Sequence, residues 1–259
     1  MKRKIVLSIA LLLALAGCGR REDDGIIREE WSHTYEGHPV VYVAPEVSAD
    51  GLLSAYESLD ASFDGPAAIK LSGTDTDEDF AWTELIEELS DSLDEPVVVE
   101  NPSSVDFSDY DCTVVLSHFR SHDTAGFNGA VKQSAIISIE PEITSPFSAG
   151  QLSLEGLAKR GKETADSLDG RVLYINVMDR GTIESVGVSL PESNTYDIGI
   201  LASYDPVALD QACIDLAGIL EEAAPLLSHI EICNGLDTLT YGEEMGLGSR
   251  TYALTILDD

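Results

Sequence analysis

Ser117 to Lys132 reads S-H-F-R-S-H-D-T-A-G-F-N-G-A-V-K and gathers two of the chain's five histidines, a pair of glycines and a lysine. The whole chain has 47 acidic and 15 basic residues, so this stretch is locally rich in His, Arg and Lys. His118 and His122 stand four apart, a spacing that places both on one face of a helix or of a strand. Two imidazoles with one carboxylate, from Asp123 or Asp179, would be a minimal ligand set for Zn²⁺ or Fe²⁺. A bound metal is therefore one reading, although no H-E-x-x-H surrounds the pair. The other is a histidine packed beneath a loop on backbone hydrogen bonds, or one used in proton transfer.

Gly126-Phe127-Asn128-Gly129 reads as a backbone turn that needs positive φ or the close approach of a ligand. Its N–H groups, with Lys132, could cradle a carboxylate or a phosphate. The plainer alternative is a tight loop that packs Phe127 into the core. The stretch matches neither a Walker A loop nor a dinucleotide fingerprint. Lys132 lies among Ala130, Val131, Ala135 and Ile136. Partial burial there would lower its pKa and suit it to act as a base or a covalent attachment point. A lysine with a solvated ammonium head is the alternative. Lys70, near the end of Ala67-Ala-Ile-Lys-Leu71, is a second strand-terminal lysine that could reach the same crevice. No G-x-S-x-G elbow and no convincing Cys/His pair points to acyl transfer.

These groups need a scaffold. Cys112-Thr-Val-Val-Leu116 reads as a buried strand, and α/β sheets present functional groups at the carboxyl ends of such strands. Val40–Val43, Ala67–Leu71, Pro96–Glu100, Arg171–Val177, Tyr196–Ser203 and Arg250–Leu257 read as further strands. Helices are predicted around Leu52–Leu59, over Trp82–Leu93 and near Leu152–Ser167. Asp205 is an N-cap with Pro206 in the first turn, and Asp210 one turn later reads as a solvated helix residue. Leu209, Cys213, Leu216 and Leu220 would form the buried stripe of that helix. Strand–helix alternation predicts an α/β fold, a mixed or mostly parallel sheet with flanking helices, as one unit or two lobes.

The N-terminus is a targeting segment. Lys2, Arg3 and Lys4 precede an apolar run, Ile5–Leu15, that is too short for a comfortable membrane span. Leu15-Ala-Gly-Cys18 looks like the lipobox of bacterial lipoproteins, which implies cleavage before Cys18 and acylation of its thiol. Residues 1–17 are then a signal peptide, 18–36 a lipidated cysteine with a polar tether, and 37–259 the α/β domain. The expected location is the extracytoplasmic face of the cell membrane, held through the N-terminal lipid. Loss of residues 1–17 leaves 12 basic and 47 acidic residues, a net of −35. Nucleic-acid phosphates would be repelled by such a chain. Asp75–Asp79 is acidic but lacks calcium-loop spacing. Cys112, Cys213 and Cys233 remain after lipidation; an odd count permits one disulfide, but apolar surroundings predict three buried, unpaired thiols.

Val115 to Lys132 resembles the S-H-F-K-G-H-x-x-x-G-F-G-G-A-x-K-N signature of the domain-of-unknown-function 362 family. Asp197–Ala212 and Tyr241–Tyr252 resemble its second and C-terminal signatures, and Lys70 matches an early strand lysine. The ferredoxin-like cysteine insert of many members is missing, and with it the basis for an iron–sulfur cluster. His122-x₃-Gly126-Phe127-x-Gly129-x₂-Lys132 is also similar in spacing to a loop of the nickel-pincer lactate racemase family. That likeness implies an acid–base role for His122 and a cofactor-binding role for Lys132, in one crevice. The expectation is therefore a lipid-anchored protein whose crevice binds a small anionic molecule or cofactor. His122 and Lys132 are its reactive groups. Lys70, Ser117, Gly126, Phe127, Gly129 and Asp205 contact the ligand, and His118 with His122 would hold any metal. The rival expectation is a non-catalytic binding or accessory lipoprotein. The sequence names neither a reaction nor a protein partner.

Overall fold

A computed structural model describes residues 34–61, 63, 65–72, 82–99, 105–137, 153–191 and 197–257. Residues 1–17, expected as a signal peptide, Cys18 and the acidic cluster Asp75–Asp79 lie outside the described residues. No helix among the described residues is long and apolar enough to cross a membrane.

One sheet of eight strands organises the chain: β1 (Thr34–Tyr35), β2 (His38–Ala44), β3 (Ala67–Leu71), β4 (Val97–Val99), β5 (Cys112–His118), β8 (Val172–Met178), β9 (Gly199–Ser203) and β10 (Ala253–Ile256). Its order is β1-β2-β9-β8-β5-β3-β4, with β10 paired to β2. β4, β3, β5 and β8 run parallel, and β9 runs antiparallel to both β8 and β2. β2 and β10 therefore run with the parallel group, and the sheet is mixed but mostly parallel, as expected. β5, β8 and β9 are buried at every residue, the pattern of strands covered on both faces.

Each face has its own core. On one, Leu52, Leu59, Leu85 and Leu89 from the region of helices α1 (Ala49–Glu57) and α2 (Trp82–Asp91) pack on Val114, Leu116, Ile175 and Val177. The other is covered by α3 (Ala130–Ile137), α4 (Leu154–Ser167), α6 (Pro206–Ala217), α7 (Ala224–Ile232) and α8 (Leu236–Glu244). There Val115 and Tyr174 meet Phe127, Leu209, Cys213, Leu226 and Leu239. Leu209 and Cys213 are buried as the predicted stripe requires, but so is almost every residue from Pro206 to Ile214. Two lobes are not needed, since both cores share the same strands.

Local signals explain most of the boundaries. Ser48 and Ser153 accept N–H groups of Gly51 and Gly156 at the starts of α1 and α4. Asp205 caps α6 through Ala208 N–H at 2.8 Å, with Pro206 in the first turn. Asp179 and Thr182 form a capping box on the short helix α5 (Arg180–Glu184). The last described part of the segment expected as tether, Thr34–Tyr35, is a short strand. Thr34 and Tyr35 pair with Pro39 and His38 across a turn with positive φ at Glu36 and Gly37.

Candidate functional site

The carboxyl ends of β3, β5 and β8 carry the polar groups. In the parallel register Lys70 lies opposite Val115, Ser117 opposite Asn176, and His118 opposite Val177. Alternation along each strand puts Lys70, Ser117 and Asn176 on the face covered by α3 and α6. Ala68, Val115 and Tyr174 share that face and pack in its core. His118, one residue past Ser117, points to the opposite face.

After Phe119 the chain forms a hairpin, β6 (Arg120–His122) and β7 (Gly126–Asn128), that leads directly into α3. Lys132 and Gln133 therefore sit in the first turn of α3, close to Asn128. A continuous network follows. Lys70 Nζ donates to Gln133 Oε1, and Gln133 Nε2 donates to Asn128 Oδ1. Lys132 Nζ donates to the same Asn128 Oδ1 at 2.8 Å, while Asn128 Nδ2 donates to the His118 carbonyl at 3.1 Å. Two buried lysines, 1 % and 8 % exposed, are thus joined by two neutral amides. Burial, and then the charge of Lys132, push the Lys70 amine down to about 7.

His122 belongs to the same neighbourhood. Its Nδ1 accepts the Ala125 N–H at 3.2 Å, which leaves the other ring nitrogen to carry the proton. Burial, then Lys132, push its pKa down to about 4, so the imidazole is neutral at pH 7. His118 is engaged elsewhere: its Nε2 lies 2.7 Å from Asp179 Oδ1, and its N–H donates to Ser72 Oγ at 3.0 Å. Burial alone would raise the Asp179 carboxyl. The hydrogen bond and charge interaction with His118, with the N–H groups of Thr182 and Gly181, hold it below its usual range instead. His118 thus meets one of the two carboxylates suggested by the sequence, but His122 has different partners. Among the described residues no group of three or more His, Cys, Asp or Glu could hold a metal ion.

The glycine loop leads into a helix start that is capped from within the fold. The N–H groups of Ala130 and Val131, which open α3, donate to Asp210 Oδ1 at 2.7 Å and Oδ2 at 2.9 Å. A side chain thus fills the place that a bound carboxylate or phosphate would take there. Asp210 is fully buried rather than solvated, and Asn176 Nδ2 adds a third donor at 2.8 Å. Burial raises its carboxyl to about 6 against these donors. Gly129 is required because a Cβ would strike the Asp210 carboxylate. Gly126 has φ of +82°, and a Cβ on it would meet the Gly235 Cα at 2.9 Å. Phe127 packs into the core and stacks on Phe119 with ring centroids 5.3 Å apart. The close approach is therefore to the protein's own groups. Asp205 likewise serves the fold, since its second oxygen accepts the Ser249 N–H at 2.8 Å.

Sequence reasoning passed over Asn128, Gln133 and Asn176 as site residues. Asn176 left a trace, as the polar interruption of V-L-Y-I-N-V; Gln133 and Asn128 are ordinary polar residues on either side of an unusual lysine. A Cys/His pair also emerges. Cys233 Sγ lies 3.7 Å from His229 Nε2 at the end of α7, and it is half-exposed rather than buried.

A family model described as Domain of unknown function (DUF362) matches residues 84–215. That span includes β5, the hairpin, α3, β8, β9 and most of α6, and so every member of the network except Lys70. No curated protein and no solved structure matches the chain.

Proposed function

The chain belongs to the DUF362 family, and on that premise we propose that it binds a small anionic ligand at the carboxyl edge of its sheet, between Lys70 and Lys132. One observation carries this reading: Lys70, 1 % exposed, hydrogen-bonds a neutral amide among the described residues and lies beside a second buried lysine, in a chain of formal net charge −32. Burying an ammonium without a counter-charge is costly, and a fold with 47 carboxylates has ample means of neutralising one. A ligand carboxylate or phosphate supplies the missing charge. His122, neutral beside Lys132, is then placed to exchange a proton with that ligand. The acidic exterior repels anions in general, so the lysine pair provides the local attraction.

The same reading places the protein on the extracytoplasmic face of a membrane, anchored by acylated Cys18. Metabolic labelling with a radioactive fatty acid tests the anchor: Cys18→Ser should lose the label, and label retained by that variant would sink it. Titration calorimetry with inorganic phosphate, acetate and pyruvate tests the site. Saturable binding that is lost in Lys132→Met, with the far-ultraviolet spectrum and Tm maintained, is the expected result. Absence of binding by all three anions would remove the reading. Asp210 supports a rival, a non-catalytic binding lipoprotein, because it fills the anion position at α3 that a substrate could otherwise use. Measured turnover of a bound anion would decide against that rival.

A further inference from the structure

Lys70 has unfilled hydrogen-bonding capacity in a place where two other groups share that condition. Its amine makes one hydrogen bond, to Gln133, among the described residues. Ser117 Oγ and Asn176 Oδ1 are both fully buried and have no hydrogen-bond partner among the described residues. They stand opposite each other in register on β5 and β8, on the sheet face that carries Lys70. The three groups therefore occupy adjacent strands at one end of the sheet, beneath the helix that bears Lys132. Buried polar atoms are rarely left unsatisfied in a native fold, and a cluster of them marks a place that a ligand completes.

The chemistry of the cluster is more specific than charge alone. An amine buried beside a second cation exists substantially in its neutral form near pH 7, and a neutral amine is a nucleophile rather than a counter-ion. The two lysines then divide the work, one as nucleophile and one as fixed charge. Asn176 Oδ1 can only accept a hydrogen bond, whereas the Ser117 hydroxyl can donate one. That combination suits a ligand hydroxyl that both gives and receives.

We infer that Lys70 condenses with the carbonyl of a small 2-oxo acid, with Lys132 holding the carboxylate and Ser117 and Asn176 holding the hydroxyl of the addition intermediate. The inference rests on the anion-binding reading above. In the first step the Nζ lone pair forms a bond to the carbonyl carbon, and the carbonyl π pair moves to oxygen. A proton passes from nitrogen to that oxygen to give a neutral carbinolamine. In the second step the C–O bond breaks, the departing hydroxyl takes the remaining N–H proton and leaves as water, and the nitrogen pair forms C=N. No oxidant or reductant is needed.

Reductive trapping of the full chain tests this. Pyruvate with cyanoborohydride should add the mass of pyruvate less one oxygen, and peptide mapping should place the adduct on Lys70. The 1 % exposure of Lys70 makes its labelling depend on ligand binding, so it should saturate with pyruvate and fall with added acetate. Lys159, whose side chain is 69 % exposed, supplies the non-specific background, which should rise without saturation. Lys70→Arg should abolish the saturable adduct, and the mapping of the unaltered chain keeps the test valid if that variant fails to fold. Labelling confined to exposed lysines overturns the inference. If pyruvate binds but Lys70 is not trapped, the imine fails and the anion site stands. If neither acetate nor phosphate binds yet Lys70 is trapped, the imine stands and general anion binding fails. With no binding and no adduct, both fall.

Discussion

Asp210 Oδ2 accepts the Val131 N–H at 2.9 Å, while Oδ1 takes that of Ala130, so a carboxylate from α6 caps a helix it does not belong to. The contact ties α3, and with it Lys132 and Gln133, to the far side of the site. It also fixes the identity of residue 129, because a Cβ there would meet the carboxylate. Gly129→Ala should therefore cost about 1–3 kcal/mol through overpacking. Asp210→Ala should cost more, since it orphans two backbone donors and the Asn176 amide at roughly 1–3 kcal/mol each where they stay buried. Urea unfolding of both variants checks the order; an Asp210→Ala variant as stable as the parent would contradict it.

Buried carboxyls give the chain an unusual pH response. Burial raises Asp205 to about 7 and Asp210 to about 6 from the ordinary 3.8 of an aspartate. Each native carboxyl then holds its proton where the unfolded chain has released it. This contribution to stability is complete below about 3.8 and is lost as pH rises through 6 and 7. His122 acts in the opposite sense: held down at about 4 from 6.5, it lowers stability as pH falls between those values. Two raised carboxyls outweigh one depressed imidazole. Calorimetry should find a higher Tm at pH 5 than at pH 7, and His122→Gln should widen the difference.

Lys70 should weaken the fold at neutral pH. Moving a lysine from 10.5 to about 7 corresponds to roughly 5 kcal/mol of penalty below the folded value. Lys70→Met removes that penalty but orphans Gln133 Oε1, at about 1–3 kcal/mol. The variant should be more stable than the parent at pH 7. The sign reverses toward pH 10, where the unfolded lysine also loses its charge and only the lost hydrogen bond remains. Denaturant titrations at the two pH values would show the crossover. A variant less stable at pH 7 would mean that the lysine is already neutralised within the fold.

The sequence made the strands and the two lysines legible for one reason: each breaks or keeps an apolar pattern. Lys70 ends A-A-I-K, which marks it as strand-terminal, and Lys132 interrupts small apolar residues, which allows partial burial to be read for it. Asp210 was misread because a carboxylate one turn after an N-cap ordinarily faces water. Its partner lies 80 residues away, at the start of a helix that follows a separate hairpin. The glycine loop left two readings open, a ligand cradle or a tight loop over a buried Phe127, since close approach by Asp210 leaves the same local signature as close approach by an anion. Helices α7 and α8 went unread because neither starts with a side-chain cap. Few of their residues are buried: Leu226 and Ile230 in one, Thr238, Leu239 and Gly242 in the other.

Cys112, Cys213 and Cys233 differ in reach, and this can be measured directly. Cys112 lies on β5 and Cys213 on α6, both fully buried, and burial pushes both thiols well above their ordinary range. Neither can offer a thiolate to a reagent in the folded state. Cys233 sits at the end of α7, half-exposed, its Sγ 3.4 Å from the Asp123 carbonyl and beside His229. The folded domain should therefore release one equivalent of thionitrobenzoate quickly from an aromatic disulfide reagent. Cys112 and Cys213 should react only as the chain unfolds, at the rate of unfolding. Cys233→Ser should abolish the fast phase and leave the slow one unchanged. A fast phase that survives this substitution would place a buried thiol within reach of solvent.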